Sequence, residues 1–86
     1  MIKVYSLYNK TLKQYYSPIC DYEVDDLKRN FYDVVNATTE NYISRAPANY
    51  CICLIGEFND KTGCIDSRKP KIVLELAELK EVVDGN

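Results

Sequence analysis

The sequence has 86 residues, of which 47% are hydrophobic and 28% charged, with a formal net charge of -2. This composition is typical of one small folded domain covering residues 1–86, and the net charge argues against strong non-specific binding to nucleic acid. No stretch approaches the roughly 20 apolar residues of a membrane span. The start of the chain lacks the apolar run of a secretory signal, so we expect a cytoplasmic protein without a membrane partner.

The beginning of the chain predicts a β-hairpin. Residues 2–8 are predicted to form a strand with two faces, one carrying Ile2, Val4, Ser6 and Tyr8 and the other Lys3, Tyr5 and Leu7. A polar turn is expected at residues 9–11 and a second strand over residues 12–17. Pro18 ends this strand or confines it to a sheet edge.

The charge of this hairpin suggests a binding surface. Lys3, Lys10 and Lys13 are the charged residues of the first 20 positions, which contain no acid, and Tyr5 and Tyr15 stand among them. One interpretation is an ordinary sheet edge whose lysines discourage pairing with other strands. The other is a surface for single-stranded nucleic acid, in which lysines contact phosphates and tyrosine rings stack on bases.

The clearest helix is predicted over residues 22–36. Its apolar side chains recur every three or four positions and form one stripe: Val24, Leu27, Phe31, Val34 and Val35. Asp21 is the expected N-cap and Asn36 the expected stop. Arg29 lies on the polar side of this helix, and we include it among the candidate nucleic-acid contacts.

The segment after the helix predicts a short helical turn and then a second hairpin. Thr38 or Thr39 would cap the turn, and residues 46–49 would break it. Residues 50–58 are apolar on both faces, like a central strand covered on both sides. One face would carry Tyr50, Ile52, Leu54 and Phe58, and the other Cys51, Cys53 and Ile55. A longer loop over residues 59–63 leads into the return strand, with Gly63 available for a left-handed conformation.

Two of the four cysteines, Cys51 and Cys53, raise the alternatives of a metal site or a redox pair. Both would point to one face of the strand, with thiols roughly 6 to 7 Å apart by the strand rise. A structural zinc site needs four ligands, commonly with a C-x₂-C spacing, and histidine is absent from the chain. We therefore interpret them as small buried hydrophobic residues and expect no metal or other cofactor.

The end of the chain is ambiguous. Residues 71–83 alternate like a strand but also carry apolar residues at helical spacing. We expect a short strand that turns into a helical tail, with residues 84–86 frayed. The predicted fold class is α+β: an N-terminal β-hairpin, one main amphipathic helix and a second β-hairpin, with the antiparallel sheet packed on the helix.

Three segments resemble a known family. They are "VYSLYNKTLKQYYSP", "LKRNFYDVV" and "PANYCICLIGEFNDKTGCI", and the last ends in an IG-x-F and TG pattern at Gly56, Phe58 and Gly63. Together they resemble the small non-structural protein of gokushoviruses, which are tailless single-stranded-DNA phages of the Microviridae. The sequence departs from that pattern at Asn49 and Asn59, where the family often has aspartate.

The resemblance implies a DNA-binding accessory protein of phage genome replication or packaging, acting in the host bacterial cytoplasm, with no catalytic residue. The candidate contacts with single-stranded DNA are Lys3, Tyr5, Lys10, Lys13, Tyr15 and Arg29. The alternative function is a non-catalytic dimeric module that engages phage or host replication proteins. A homo-oligomer, most simply a dimer, is expected in either case, because a small tyrosine-rich chain has apolar surface left over.

Overall fold

The computed structural model describes residues 1–20 and 22–81. Its strands form one antiparallel sheet in the order β2-β1-β3-β4. The strands are β1 Ile2–Asn9, β2 Gln14–Tyr15, β3 Tyr50–Phe58 and β4 Ile65–Glu75. The helices are α1 Val24–Val35 and α2 Tyr42–Arg45, and two 3₁₀ turns cover Pro47–Asn49 and Leu76–Leu79. The predicted α+β class, with two hairpins and one main helix, is confirmed.

Helix α1 begins at Val24, two residues later than the sequence predicts. The backbone N–H of its N-cap, Glu23, donates to Asp26 Oδ2 at 3.0 Å, and Asp25 and Asp26 lie in the first turn, where the helix dipole favours acids. The predicted cap, Asp21, lies outside the described residues. At the other end Asn36 closes the helix, and its side-chain amide donates to Leu79 O at 2.8 Å.

The core lies between α1 and one face of the sheet. Its fully buried members are Tyr5, Leu27, Val35, Tyr50, Ile52, Leu74 and Leu76. Phe31 packs against this cluster but keeps partial exposure. Burying such side chains stabilises a fold by about 1.5–3 kcal/mol each, so the contact between α1 and the sheet holds the domain together.

On the other face of the sheet, which we call the open face, no helix packs among residues 1–20 and 22–81. Strand alternation puts Val4, Ser6 and Tyr8 on this face, opposite to Tyr5 in the core, as predicted. In β3, Cys51 and Cys53 belong to the open face, while Tyr50 and Ile52 face α1. Strand β3 is therefore central in the sheet, and its residues Tyr50 to Cys53 are buried on both faces, as the sequence predicts.

The sheet has a covered end and a free end. The covered end, residues 50–54 with 74–76, meets α1 and holds most of the core. The free end comprises residues 2–4 and 55–58, the loop and residues 65–72, and every residue from 65 to 72 is exposed. The loop joining its strands follows the predicted design, because Gly63 adopts φ 77° and its N–H donates to Asn59 O at 2.7 Å.

Several predicted boundaries are corrected. The first turn covers residues 10–13 instead of 9–11, and β2 is shortened to Gln14–Tyr15 because Asn9 pairs with Gln14. The short helix α2 is capped by Asn41 Oδ1, which accepts from Ile43 N and Ser44 N, and not by Thr38 or Thr39. None of the helices in the described part of the chain has the length and apolar content needed to cross a membrane.

The C-terminal segment is a strand followed by a single 3₁₀ turn. Strand β4 runs without a break through Pro70, so the return strand of the second hairpin and the predicted C-terminal strand are one element. The turn Leu76–Leu79 replaces the expected helical tail as far as the described residues extend. The expectation for residues 82–86 lies outside them.

Candidate nucleic-acid interface

The outer strand of the free end carries three cations within four positions, residues 68–71. In β3 and β4, Leu54 pairs with Lys71 and Gly56 with Ser67, so β4 holds two more residues than β3 between these pairs. The extra length forms a bulge that contains Arg68, Lys69 and Pro70. Proline is tolerated there because an edge or bulge position needs no N–H for the ladder. We call the three cations of this stretch, Arg68, Lys69 and Lys71, the basic edge.

The basic edge has no carboxylate partner among the described residues. All three side chains are exposed. The ion pairs found in that part of the chain are Lys10–Glu75, Arg29–Asp26 and Arg45–Glu40. From Ser67 to Leu74 the sequence contains no acid. The charges of the basic edge are therefore available to an anion from solvent.

Lys10, by contrast, is engaged within the protein. Its Nζ lies 2.6 Å from Glu75 Oε1 and 3.3 Å from Ala48 O. The hydrogen bond to Glu75 raises the pKa of Lys10 above its ordinary value, while partial desolvation opposes this. The sequence predicts an unopposed lysine at this position, and the fold neutralises it with an acid 65 residues away.

The other predicted cations have different surroundings. Lys13 is exposed at the end of the first turn, with φ 53°, and no ion pair involves it among residues 1–20 and 22–81. Lys3 is exposed on the α1 side of the sheet, where it lines a shallow pocket with Glu23 and Asp26. Arg29 is paired with Asp26 on the helix surface. The structure does not bring Lys3, Lys13 and Arg29 together into one patch.

The two predicted tyrosines divide between core and surface. Tyr5 is 1% exposed, so the expectation that its ring offers a stacking face is wrong: alternation turns it towards α1. Its hydroxyl is buried with no hydrogen-bond partner among the described residues, and burial raises its pKa. Tyr15 is 44% exposed. Its ring centroid lies 4.4 Å from that of Tyr8, with the planes tilted by 38°, so Tyr8 supports it on the open face.

The open face also carries an apolar groove at the free end. The groove encloses about 460 Å³, and its lining contains no charged side chain: Ile2, Val4, Pro18, Cys20, Ile55, Gly56, Phe58, Ile65 and Ser67. A register shift explains why Ile55 and Phe58 line the same groove. Val4 pairs with Gly56 while Tyr5 pairs with Leu54, so Ile55 is an extra residue of β3, and the strand bends there. The sequence assigns Phe58 and Ile55 to opposite faces, which is wrong.

The cysteine pair is buried and unreactive. Cys51 and Cys53 Sγ lie 3.9 Å apart, closer than the strand rise suggests, and neither residue is more than 2% exposed. Burial raises the pKa of Cys51 to about 12, with the neighbouring Cys53 adding to the rise. A protonated thiol is a poor nucleophile and metal ligand. No cluster of three or more potential metal ligands occurs among the described residues.

A comparison with models of protein families identifies the family of this chain. The family model described as "Phage ORF5 protein" matches residues 2–79, which covers all the strands and helices described above. The chain belongs to this phage protein family. No curated protein and no solved structure gives a significant match.

Sequence reasoning missed the basic edge. The signal was the run "SRKPK", residues 67–71, with three cations in four positions after Ser67. A proline in such a run indicates a break between a return strand and a tail, so the sequence does not predict a single edge strand there. Only the fold shows that both pieces are one edge strand, with the proline inside a bulge.

Proposed function

We propose that this phage protein binds single-stranded DNA through the basic edge and the adjoining open face, as an accessory to replication or packaging of the phage genome. The observation that carries the proposal is the basic edge itself: three exposed cations without an acidic partner in the described part of the chain. Unpaired lysines and arginines along one strand suit a phosphate backbone, because each contact releases counterions.

The segregation of charge supports a local interface in a chain whose net charge is -2. Glu23, Asp25, Asp26 and Asp33 all belong to α1 or its cap, and α1 packs on the face of the sheet opposite the open face. The phosphate backbone would therefore be held at the basic edge and repelled from the helix. Such binding is of modest affinity and falls steeply with salt.

Aromatic side chains on the open face supply the second requirement of single-strand binding. The exposed ring of Tyr15, supported by Tyr8, lies towards the covered end, and Phe58 lines the groove at the free end. Stacking on such rings tolerates any base sequence. The resemblance to the gokushovirus protein of the Microviridae supports the same proposal, with the host bacterial cytoplasm as the place of action and no catalytic step.

The test is a titration of a fluorescently labelled oligothymidylate, followed by anisotropy over a series of salt concentrations. Three phosphate contacts give a slope of about -2 in the plot of log affinity against log salt, at roughly -0.7 per contact for a single strand. The matched control replaces Lys28 on α1 and Arg45 on α2, which are exposed and lie outside the proposed surface, by glutamine and should leave the slope unchanged. Absence of binding at low salt would refute the proposal.

A second candidate is a dimeric module that engages phage or host replication proteins. Apolar exposure at the free end favours it, since Ile65 is 68% and Ile72 51% exposed. An interface built on these side chains should not weaken with salt, in contrast to DNA binding. Light scattering at high micromolar concentration distinguishes the states, because a mass of one chain would count against a dimer.

A further inference from the structure

The apolar groove at the free end has the dimensions of a ligand site. Its volume of about 460 Å³ falls in the usual range of roughly 300–1,000 Å³ for sites that take small molecules or parts of larger ones. Its polar groups are few, with Ser67 and Cys20 contributing the polar side chains. An occupant must therefore offer a flat or apolar surface and carry its charge outside the groove.

The charge beside the groove favours an anionic occupant, because the neighbouring acids Glu57 and Asp66 alternate with lining residues and so belong to the opposite face of the sheet. Ser67 lines the groove and is followed directly by Arg68 and Lys69 in the same strand, about 3.3 Å further per residue. A ligand with an apolar body and an attached phosphate matches this arrangement. We propose that the groove receives unstacked bases of the bound single strand, while the basic edge holds the phosphates that flank them; this rests on the proposed function.

Phe58 supplies the aromatic surface for such a base, and the aliphatic side chains of Ile2, Val4 and Ile65 close around it. With so few hydrogen-bonding groups in its lining, the groove cannot read base edges. Recognition is therefore by stacking and apolar contact, and all bases should bind with similar affinity.

A second copy of the chain is the other occupant that an apolar groove can accept. The lining offers such a copy no ion pair, and the cations next to the groove carry the same sign on both copies. Like charges near an interface oppose association. The charge pattern thus favours the nucleic acid, and self-association becomes one outcome of the test.

Cys20 provides a direct probe, because it is exposed and lines the groove, whereas Cys64 is exposed but not part of the lining. We would measure alkylation of both thiols by N-ethylmaleimide, using peptide mass spectrometry, with the wild-type protein. The ligands are an oligothymidylate and an abasic strand of equal length, each at saturation by anisotropy. The oligothymidylate should slow the alkylation of Cys20 several-fold, the abasic strand should not, and Cys64 should react equally in all samples.

The outcomes separate the two proposals. If both strands bind but Cys20 is alkylated at the same rate with either, the base site is overturned and the proposed DNA-binding function is retained. Absence of binding by both strands would overturn both proposals. Protection of Cys20 that grows with protein concentration without DNA would assign the groove to a second copy.

As a further check, Phe58→Leu should weaken oligothymidylate binding by about 5- to 150-fold with an unchanged salt slope. Tyr42→Leu, which removes a 76% exposed ring on α2, should have no effect; equal losses would contradict stacking on Phe58.

Discussion

The covered end and the free end of the sheet share strands β3 and β4 but differ in what surrounds them. Leu74 at the covered end is 3% exposed, whereas Ile65, which pairs with Phe58 at the other end of the same strand, is 68% exposed. The buried core under α1 lies at the covered end, whereas at the free end β3 is held mainly by its pairing with β1 and β4. A small sheet without a packed layer contributes little stability by itself. The stability of the domain therefore resides at the covered end, and the free end is available for a partner.

The same contrast separates the two basic regions of the chain. Lys10, near the covered end, is tied to Glu75 and to the 3₁₀ turn Pro47–Asn49. Asn49 further holds that turn, because its Nδ2 donates to Asn9 Oδ1 at 3.0 Å. The cations of the basic edge have no such ties in the part of the chain described. Lys10 near the covered end is thus neutralised within the fold, whereas the cations of the basic edge remain available to an anion.

The largest expected effect is on folding, from Leu27→Ala. Leu27 is 2% exposed in the core under α1, so its truncation should lower the free energy of unfolding by about 2–5 kcal/mol. Ile65→Ala, at the free end, should change it by no more than about 0.5 kcal/mol. Urea denaturation measures both. Similar losses from the two variants would show that the free end is packed in solution.

Gly56→Ala tests the junction between the two ends. A Cβ at Gly56 would lie 2.6 Å from Asp66 O, a backbone atom that cannot rotate away, so β4 must shift. We expect a loss of about 1–3 kcal/mol in the free energy of unfolding, as for other overpacked sites. The same denaturation experiment measures it, with Gly63→Ala as a strained but uncrowded comparison at φ 77°. An unchanged midpoint for Gly56→Ala would place β4 further from β3 than described.

Tyr5→Phe has a smaller expected effect, of opposite sign. The buried hydroxyl of Tyr5 has no partner among residues 1–20 and 22–81, and leaving such a group unpaired costs about 1–3 kcal/mol. Its removal should leave the free energy of unfolding unchanged or raise it by roughly 1 kcal/mol, and should not alter oligothymidylate binding. Weaker binding by a fully folded Tyr5→Phe protein would restore Tyr5 as a DNA contact.

The titration of the buried thiols should make stability depend on pH only in alkali. The pKa of Cys51 is raised from 9.0 to about 12 in the folded chain, so above pH 9 the unfolded chain releases a proton that the folded chain retains. Stability should therefore decline between pH 9 and 12, and less so in Cys51→Val.

At pH 8, a thiol-reactive dye should label Cys20 and Cys64 in the native state and all four cysteines after denaturation. Rapid native labelling of Cys51 would contradict its burial.

Much of the fold could be predicted because local patterns determine it. Alternation identifies β1, the stripe through Leu27 and Val35 identifies α1, and Gly63 marks the loop between β3 and β4. The bulges were not predictable, since a single extra residue such as Ile55 changes which face Phe58 joins without altering the local pattern.

The candidate site was less predictable, because charge along the sequence does not show which cations are paired in the fold. Lys10 and Glu75 lie 65 positions apart and meet only when β1 and β4 join the same sheet. Tyr5 follows the alternation of its strand into the core. Lys3, Lys13, Tyr15 and Arg29 remain predicted contacts. Lys13 and Tyr15 are both exposed, and Lys13 forms no ion pair within the described residues.

The most direct measurement compares the salt dependence of oligothymidylate binding by two charge variants. Replacing Arg68, Lys69 and Lys71 by glutamine should lessen the log–log salt slope by about 2, from three phosphate contacts at roughly 0.7 each. Replacing Lys10 and Lys13 should lessen it by at most about 0.7, since Lys10 is paired with Glu75. A loss of about 1.4 from the Lys10 and Lys13 variant, with no change from the basic-edge variant, would contradict the assignment of the binding surface to β4.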